Sequence, residues 1–375
     1  MIRGIIADRK LLKQLNIKMV FIAALIVLYG CMNIYSATVS KKGTYYLKLQ
    51  IIWFVLALIV CAVVTILDYN LLYNFTPALY WGSILLLIYN DLTSKHINGA
   101  TSWISLGSRA IQPSEFARLA MILMLAKKLK EMEGDINNIK NFSILSLYAL
   151  IPMLLIVIQP DAGMTMVCLF IVLGIFFIMG LNLKVIVFGF TSIVIVVAAV
   201  WNSALMQHHW RDRIVSFIHP EANELGTGMQ LAYAKIGIGS GNIFGSGIKL
   251  GSSSGSGFIA QFMPEALTDF IFSVVGEKWG FVGAIGLLII YSLLLISILR
   301  ISMKSSNIYG KVICVGVFSS FLFSIIQNIG MNIGILPITG ITLPFMSYGG
   351  SSMLTNFIAL GLVLNVGMQN KKTVF

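Results

Sequence analysis

The chain has 375 residues, of which 58% are hydrophobic and only 11% are charged. That is far more apolar surface than a soluble core of this length can bury, so a bilayer is the expected solvent. The net charge of +12 would suggest a nucleic-acid surface in a soluble protein. In a membrane protein the same lysines and arginines first report topology and attraction to anionic lipid, and no nucleic acid is expected.

A span needs roughly 20 mostly apolar residues. Segments of that kind lie near 17 to 36, 47 to 67, 71 to 90, 116 to 130, 143 to 158, 162 to 181, 183 to 203, 270 to 299, 309 to 331 and 350 to 368. The first is longer than a signal-peptide core and another run follows at once, so it reads as a retained helix. The fourth and fifth are short with polar ends, and the count shifts by one pair if they do not cross. Either count is even and leaves both termini on one side. With the N-terminus inside, most basic residues fall on the inner side, among them Arg3, Arg9, Lys10, Lys13, Lys127, Lys128, Lys130, Arg300, Lys304, Lys371 and Lys372. This bias supports cytoplasmic termini. The expected fold is an all-α integral membrane protein of about ten transmembrane helices. One polytopic domain covers residues 1–375, with a long extracytoplasmic loop, residues 204–268, between helices 7 and 8. Cys31, Cys61, Cys168 and Cys314 lie inside apolar runs without metal-type spacing and read as core residues.

Four segments on the outer side are candidates for chemistry. Asn98 to Arg118 places Glu115 and Arg118 at i and i+3 after Pro113, on one face of a starting helix; it is either an interfacial ion pair beside the anchor Trp103 or part of a site. Gly226 to Gly257 holds ten glycines, a linker composition. Its interleaved Ile, Phe, Tyr and Lys instead suit a packed backbone whose N–H groups, with Arg211, Arg213, Lys235 and Lys249, can meet phosphate. His208 and His209 beside Trp210 read as interfacial rather than metal ligands. Gln261 to Gly283 carries Glu265, Asp269 and Glu277 at the edge of an apolar run, with Asp269, Ser273 and Glu277 on nearly one helical face. A carboxylate there is expensive unless it snorkels to the interface, is paired with Lys278, or is used. Asn332 to Leu354 breaks a membrane-depth segment with prolines and glycines, so its backbone is either a re-entrant turn or lines a wet cavity.

The order and wording of these strings resemble one family, the SEDS peptidoglycan polymerases, which include RodA, FtsW and SpoVE. The strings are W-I-S-L-G and Q-P-S-E-F within Trp103 to Phe116, Q-P-D-x-G at Gln159 to Gly163, and R-x-R-I followed by G-x-G-x-Q within Arg211 to Gln230. They continue with I-G-S-G-x-x-x-G-x-G at Ile238 to Gly247, P-E-x-x-T-D-F-I-F at Pro264 to Phe272, and L-P-x-T-G-x-x-L-P-F-x-S-Y-G-G-S-S at Leu336 to Ser352. The last string and the short tails look more like the elongation branch than the division branch. Tyr233-Ala234, Leu267, Lys278 and Arg118 depart from the family's usual residues.

The resemblance implies transfer of disaccharide-peptide units from lipid II, the undecaprenyl-pyrophosphate-linked precursor, to glycan strands at the outer leaflet of a bacterial cytoplasmic membrane. It implies Asp269 as the essential carboxylate. Substrate contacts are expected from Trp103, Glu115, Arg118, Arg211, Arg213, Gln230, Lys249, Glu265, Ser347, Tyr348 and Ser351. A divalent cation, Mg²⁺ or Mn²⁺, is the expected cofactor, and its ligands are not legible. The expected partners are lipid II and a class B penicillin-binding protein within an elongation or division complex. Two other classes compete: a lipid II flippase, which would carry its charges at mid-membrane depth in broken helices, and a non-catalytic scaffold for a transpeptidase.

Overall fold

The computed structural model describes residues 15–93, 103–106, 109–200, 208–219, 226–248 and 257–369. Each of the ten apolar segments forms a helix: α1 (Ile17–Lys42), α2 (Tyr45–Ile66), α3 (Tyr69–Thr93), α4 (Pro113–Glu131), α5 (Ile139–Ile158), α6 (Ala162–Ile178), α7 (Leu183–Val200), α11 (Ile271–Lys304), α12 (Ile308–Ile333) and α13 (Gly350–Gln369). Among the described residues seven helices, α1–α3, α5 and α11–α13, are long and apolar enough to cross a membrane. Helix α6 and the start of α7 are shorter apolar helices. Helix α4 falls short of that apolarity because it carries Glu115, Arg118, Lys127, Lys128, Lys130 and Glu131. It is packed among α3, α5 and α12, and Glu115 and Arg118 are buried, so these two charges meet protein rather than lipid.

Alternating passes put the starts of α4, α6, α11 and α13 at one end of the bundle, with the end of α12. Lys127, Lys128, Lys130, Arg300, Lys304 and Lys311 lie at the other end, near the ends of α4 and α11 and the start of α12. Between the ends, α12 and α13 are mostly buried. Phe345 packs edge-on against Phe321 and Phe357, and Tyr291 of α11 donates to the Pro344 carbonyl at 2.6 Å, which ties the connection between α12 and α13 to the core. The four cysteines are buried.

Two features depart from a purely helical reading. Residues on either side of 107–108 pair as a short antiparallel hairpin, β1 (Ile104–Leu106) with β2 (Arg109–Ile111). The loop segment is itself helical in α8 (His208–Ile218), α9 (Thr227–Ser240) and α10 (Gly257–Phe262). Helix α9 packs on α11 and α12, so the described part of this glycine-rich stretch is packed structure and not a linker.

Its glycines serve a specific purpose beside α11. That helix breaks at Gly280, whose φ of 63° and ψ of −161° fall in a region essentially restricted to glycine. In an unbroken helix the N–H groups of Phe281 and Val282 would pair with the carbonyls of Glu277 and Lys278. Here Phe281 and Val282 donate instead to Asn242 and Ile243 (2.9 and 3.1 Å), while Ser246 and Gly247 donate to Glu277 and Lys278 (2.9 and 3.0 Å). The loop after α9 is thus spliced, backbone to backbone, into the gap. A Cβ on Gly280 would strike the Gly245 and Ile243 main chain. Gly280→Ala is therefore expected to lower stability by about 3 kcal/mol or more, measured as thermal unfolding in detergent. Gly286→Ala, where a Cβ meets open space, is the control and should be neutral or mildly stabilising.

Candidate functional site

The irregular connections at the cavity end of the bundle enclose a space of about 520 Å³. Ahead of α11, Pro264–Phe270 forms consecutive turns, and Thr268 and Phe270 donate back to the Glu265 carbonyl. Glu265 and Asp269 both line the cavity from this segment. Asp269 precedes α11 rather than sharing a helical face with Ser273 and Glu277. Ser273 instead donates to Asn332, and Glu277 accepts from the Phe258 and Ile259 N–H groups at the start of α10 (2.8 and 2.9 Å). Its Oε1 lies 3.6 Å from Lys278 Nζ, so Glu277 is a structural anchor.

The opposite wall comes from the start of α4. Gln112 stands at the N-cap position of that helix and Pro113 occupies its first turn, where a missing N–H costs nothing. Glu115 follows where the helix dipole favours an anion. Its carboxylate accepts from Arg118 (2.7 Å) and from Thr355 of α13 (3.1 Å). Arg118 also donates to Asn356 (3.3 Å), and its buried Nε has no hydrogen-bond partner among the described residues. A guanidinium with a spare donor on a cavity wall suits an anionic oxygen.

A third wall carries Asp161, the N-cap of α6, which accepts from Met164 N–H (2.9 Å) and Gln112 Nε2 (2.8 Å). Arg213 of α8 donates to the Thr339 carbonyl at 3.0 Å and acts electrostatically on both Asp161 and Asp269. Burial raises the pKa of Asp161 above the usual carboxylate range. Burial, with the neighbouring Glu265, pushes Asp269 up to about 7, against the opposing pull of Arg213. Two cations thus face four carboxylates, Glu115, Asp161, Glu265 and Asp269.

Of the residues expected from sequence, Trp103, Glu115, Arg118, Arg213, Gln230, Glu265, Asp269 and Tyr348 line this cavity. Arg211 does not; it is on the exposed face of α8, because two residues along a helix turn a side chain through about 200°. Ser347 and Ser351 hold walls in place instead of lining them. Ser347 donates to the Thr268 carbonyl (2.6 Å) and accepts from Leu343 N–H (2.8 Å). Ser351 accepts from Gln112 N–H (3.3 Å) and donates to the Ala110 carbonyl (3.4 Å). Lys249 lies outside the described residues, as do the side chains of His208 and His209. Gln112, Asp161 and Asn356 were not expected. Asp161 had a signal, a carboxylate between two apolar runs, whereas Asn356 resembles any polar residue on a helix.

The raised pKa of Asp269 carries a sign. Between 3.8, its ordinary value, and about 7 the folded state binds more protons than the unfolded state, so this residue's contribution to stability falls as pH rises. Asp269→Asn should therefore raise the melting temperature at pH 8 more than at pH 5, as read by scanning fluorimetry in detergent.

The model of a family described as a cell cycle protein, spanning FtsW, RodA and SpoVE, matches residues 11–372. The peptidoglycan glycosyltransferase RodA of Treponema pallidum is 32% identical over 90% of this chain and 94% of its own. MrdB of Escherichia coli, also named a peptidoglycan glycosyltransferase, is 31% identical over 96% and 95%. One chain of a peptidoglycan synthase complex, solved to show how polymerization and crosslinking are coordinated, superposes with a TM-score of 0.81 at 30% identity, covering 95% of this chain and 98% of that one. The arrangement of helices and the match along nearly the whole sequence agree: this chain is a multi-pass membrane protein that belongs to the FtsW/RodA/SpoVE family.

Proposed function

We propose that the chain is a peptidoglycan glycosyltransferase that polymerises lipid II at the outer leaflet of the bacterial cytoplasmic membrane, in the elongation branch of its family. The observation that carries this reading is Asp269, a half-buried carboxyl that desolvation and Glu265 push up to about 7, in a cavity that also holds Arg118 and Arg213. A general base works best with its pKa near the operating pH. Supporting the orientation, the cavity lies at the end of the bundle opposite Lys127, Lys128, Lys130 and Arg300, and positive ends face the cytoplasm. Both termini are then cytoplasmic. Gathering of the polar groups at helix ends also favours an enzyme over a flippase.

In the proposed reaction the acceptor sugar's 4-hydroxyl loses its proton to the Asp269 carboxylate as its oxygen bonds to the donor's anomeric carbon. The bond from that carbon to pyrophosphate breaks, its electron pair leaves with the pyrophosphate, and the α-linkage inverts to β. One displacement needs one base and no covalent nucleophile, the logic of inverting carboxylate enzymes. Arg118 and Arg213 offset the charge that develops on the leaving group, while Trp103, Gln230 and Tyr348 offer stacking and hydrogen-bonding surfaces to the sugars.

Among the described residues no three of His, Cys, Asp and Glu converge as a metal cluster. A Mg²⁺ or Mn²⁺ ion fits as a companion of the pyrophosphate with Glu265 as its protein carboxylate, since Mg²⁺ commonly binds one or two carboxylates plus substrate phosphates. It would supply neutralising charge to the leaving group. The partner we assign is a class B penicillin-binding protein, in keeping with the crosslinking named for the complex that the fold resembles.

Purified protein with lipid II on the outer side of proteoliposomes should make glycan strands. Asp269→Ala should make none, and Arg213→Ala should lower kcat by about 10²-fold. The acidic limb of kcat/KM should fall near pH 7, activity declining as pH drops through the value at which Asp269 takes up its proton. Strand formation by Asp269→Ala at the parent rate would overturn the assignment of the base.

A further inference from the structure

Two buried asparagines that the reaction described above does not use converge on the base. Asn328 and Asn332 stand one turn apart on α12, both fully buried. Asn328 Nδ2 donates to the Asp269 carbonyl at 2.8 Å, and Asn332 Nδ2 donates to the same oxygen at 3.0 Å. The second N–H of each amide is also used, Asn328 on the Ile341 carbonyl (2.7 Å) and Asn332 on the Asn328 carbonyl (2.8 Å). The orientation of Asn332 follows from chemistry, because its Oδ1 accepts from the Ser273 main-chain N–H at 3.1 Å, which only donates. Asn328 faces two carbonyls through one atom, which must therefore be its nitrogen. Its Oδ1 is left without a partner among the described residues, a cost of order 1–3 kcal/mol for a buried acceptor.

These bonds tie two parts of the cavity wall together from behind, since neither asparagine lines the cavity. Asn328 clamps the turn that carries Asp269 to Ile341, and both Asp269 and Ile341 line the cavity. Between them Gly340, with φ of 77°, lets the wall pass close to the Asp269 carboxyl: a Cβ there would lie 3.5 Å from Oδ2. The neighbouring turn residues are held by other groups, Thr268 by Ser347 and Leu267 by the Tyr348 N–H. Asp269 alone has its carbonyl held by two side-chain amides among the described residues. A helical polar pair that tolerates an unsatisfied oxygen in order to hold one carbonyl points to a demand for geometry.

We propose that Asn328 and Asn332 are positioning residues, which fix the depth and direction of the Asp269 carboxyl in the cavity by clamping its main-chain carbonyl. The inference rests on the reading of Asp269 as the base. Neither asparagine lines the cavity. A base displaced by an ångström loses catalysis while the binding walls around Arg118 and Arg213 stay in place.

The test uses the full chain in detergent or proteoliposomes with lipid II, comparing Asn332→Ala and Asn328→Ala with Asn365→Ala. Asn365 is a matched control: it is buried near the far end of α13, donates to the Val64, Thr65 and Leu67 carbonyls, and leaves its own Oδ1 unpartnered among the described residues. The expected result is a fall in kcat of about 10- to 100-fold for either α12 variant, with KM within about threefold and a displaced acidic limb in the pH profile. Asn365→Ala should lose thermal stability and keep its kcat and pH profile. Parent-like kcat and pH profile in both α12 variants would overturn the inference, and so would loss of activity that merely tracks melting temperature across all three. If the parent makes strands and Asp269→Ala does too, the reading of the base fails instead, a result distinct from either.

Discussion

Backbone that is not helical at membrane depth must be buried in protein or line a wet cavity, and where it is buried its hydrogen-bond partners come from the protein. The cavity wall is built from such backbone: the turn at Pro264–Phe270 and the connection between α12 and α13. Their carbonyls are met by side chains from elements that are already rigid. Ser347 serves Thr268, Gln327 serves Pro337, Asn328 serves Ile341 and Asn332 serves Asp269. Serines and asparagines that look like failed apolar positions are what allow irregular chain to exist at this depth, and irregular chain is what brings acid groups from distant elements around one space.

The same constraint explains the uneven use of charge. Glu115 and Arg118 are almost fully buried, which is tolerable because they neutralise each other and are bonded to Thr355 and Asn356. Asp161 is satisfied by an N-cap and a glutamine. Asp269 is less provided for and is correspondingly hard to ionise. With Asp269 as the proposed base, stability and chemistry pull in opposite directions at that residue, as is common where a site needs a carboxyl poised near neutrality.

Much of this was legible in the residues. The ten apolar segments coincide with ten helices because hydrophobic length is a long, redundant signal. Glu265 and Asp269 stood out because carboxylates beside an apolar run are rare. What stayed hidden depends on direction and not on composition. Arg211 and Arg213 are chemically alike, and only the rotation of α8 separates an exposed residue from a cavity residue. Ser347 and Tyr348 are adjacent, yet one holds the wall and the other lines it. Asn328 and Asn332 showed only as a polar pair at helical spacing in an apolar stretch, and the carbonyl they share appears only when α11 and α12 are packed. The hairpin after Trp103 was missed because its strands are three residues each, too short for alternation to register.

The splice at Gly280 binds two stretches of sequence, Gly241–Gly247 and Glu277–Val282, by four main-chain bonds that no side-chain exchange can replace. Between them lie α10 and the turn carrying Asp269. Lengths on either side of α10 can vary only where the register of both stretches is kept, so these stretches form one heritable unit despite their separation along the chain. A homologous loop grafted alone would arrive without its matching break, so an exchange of this loop has to carry both stretches together.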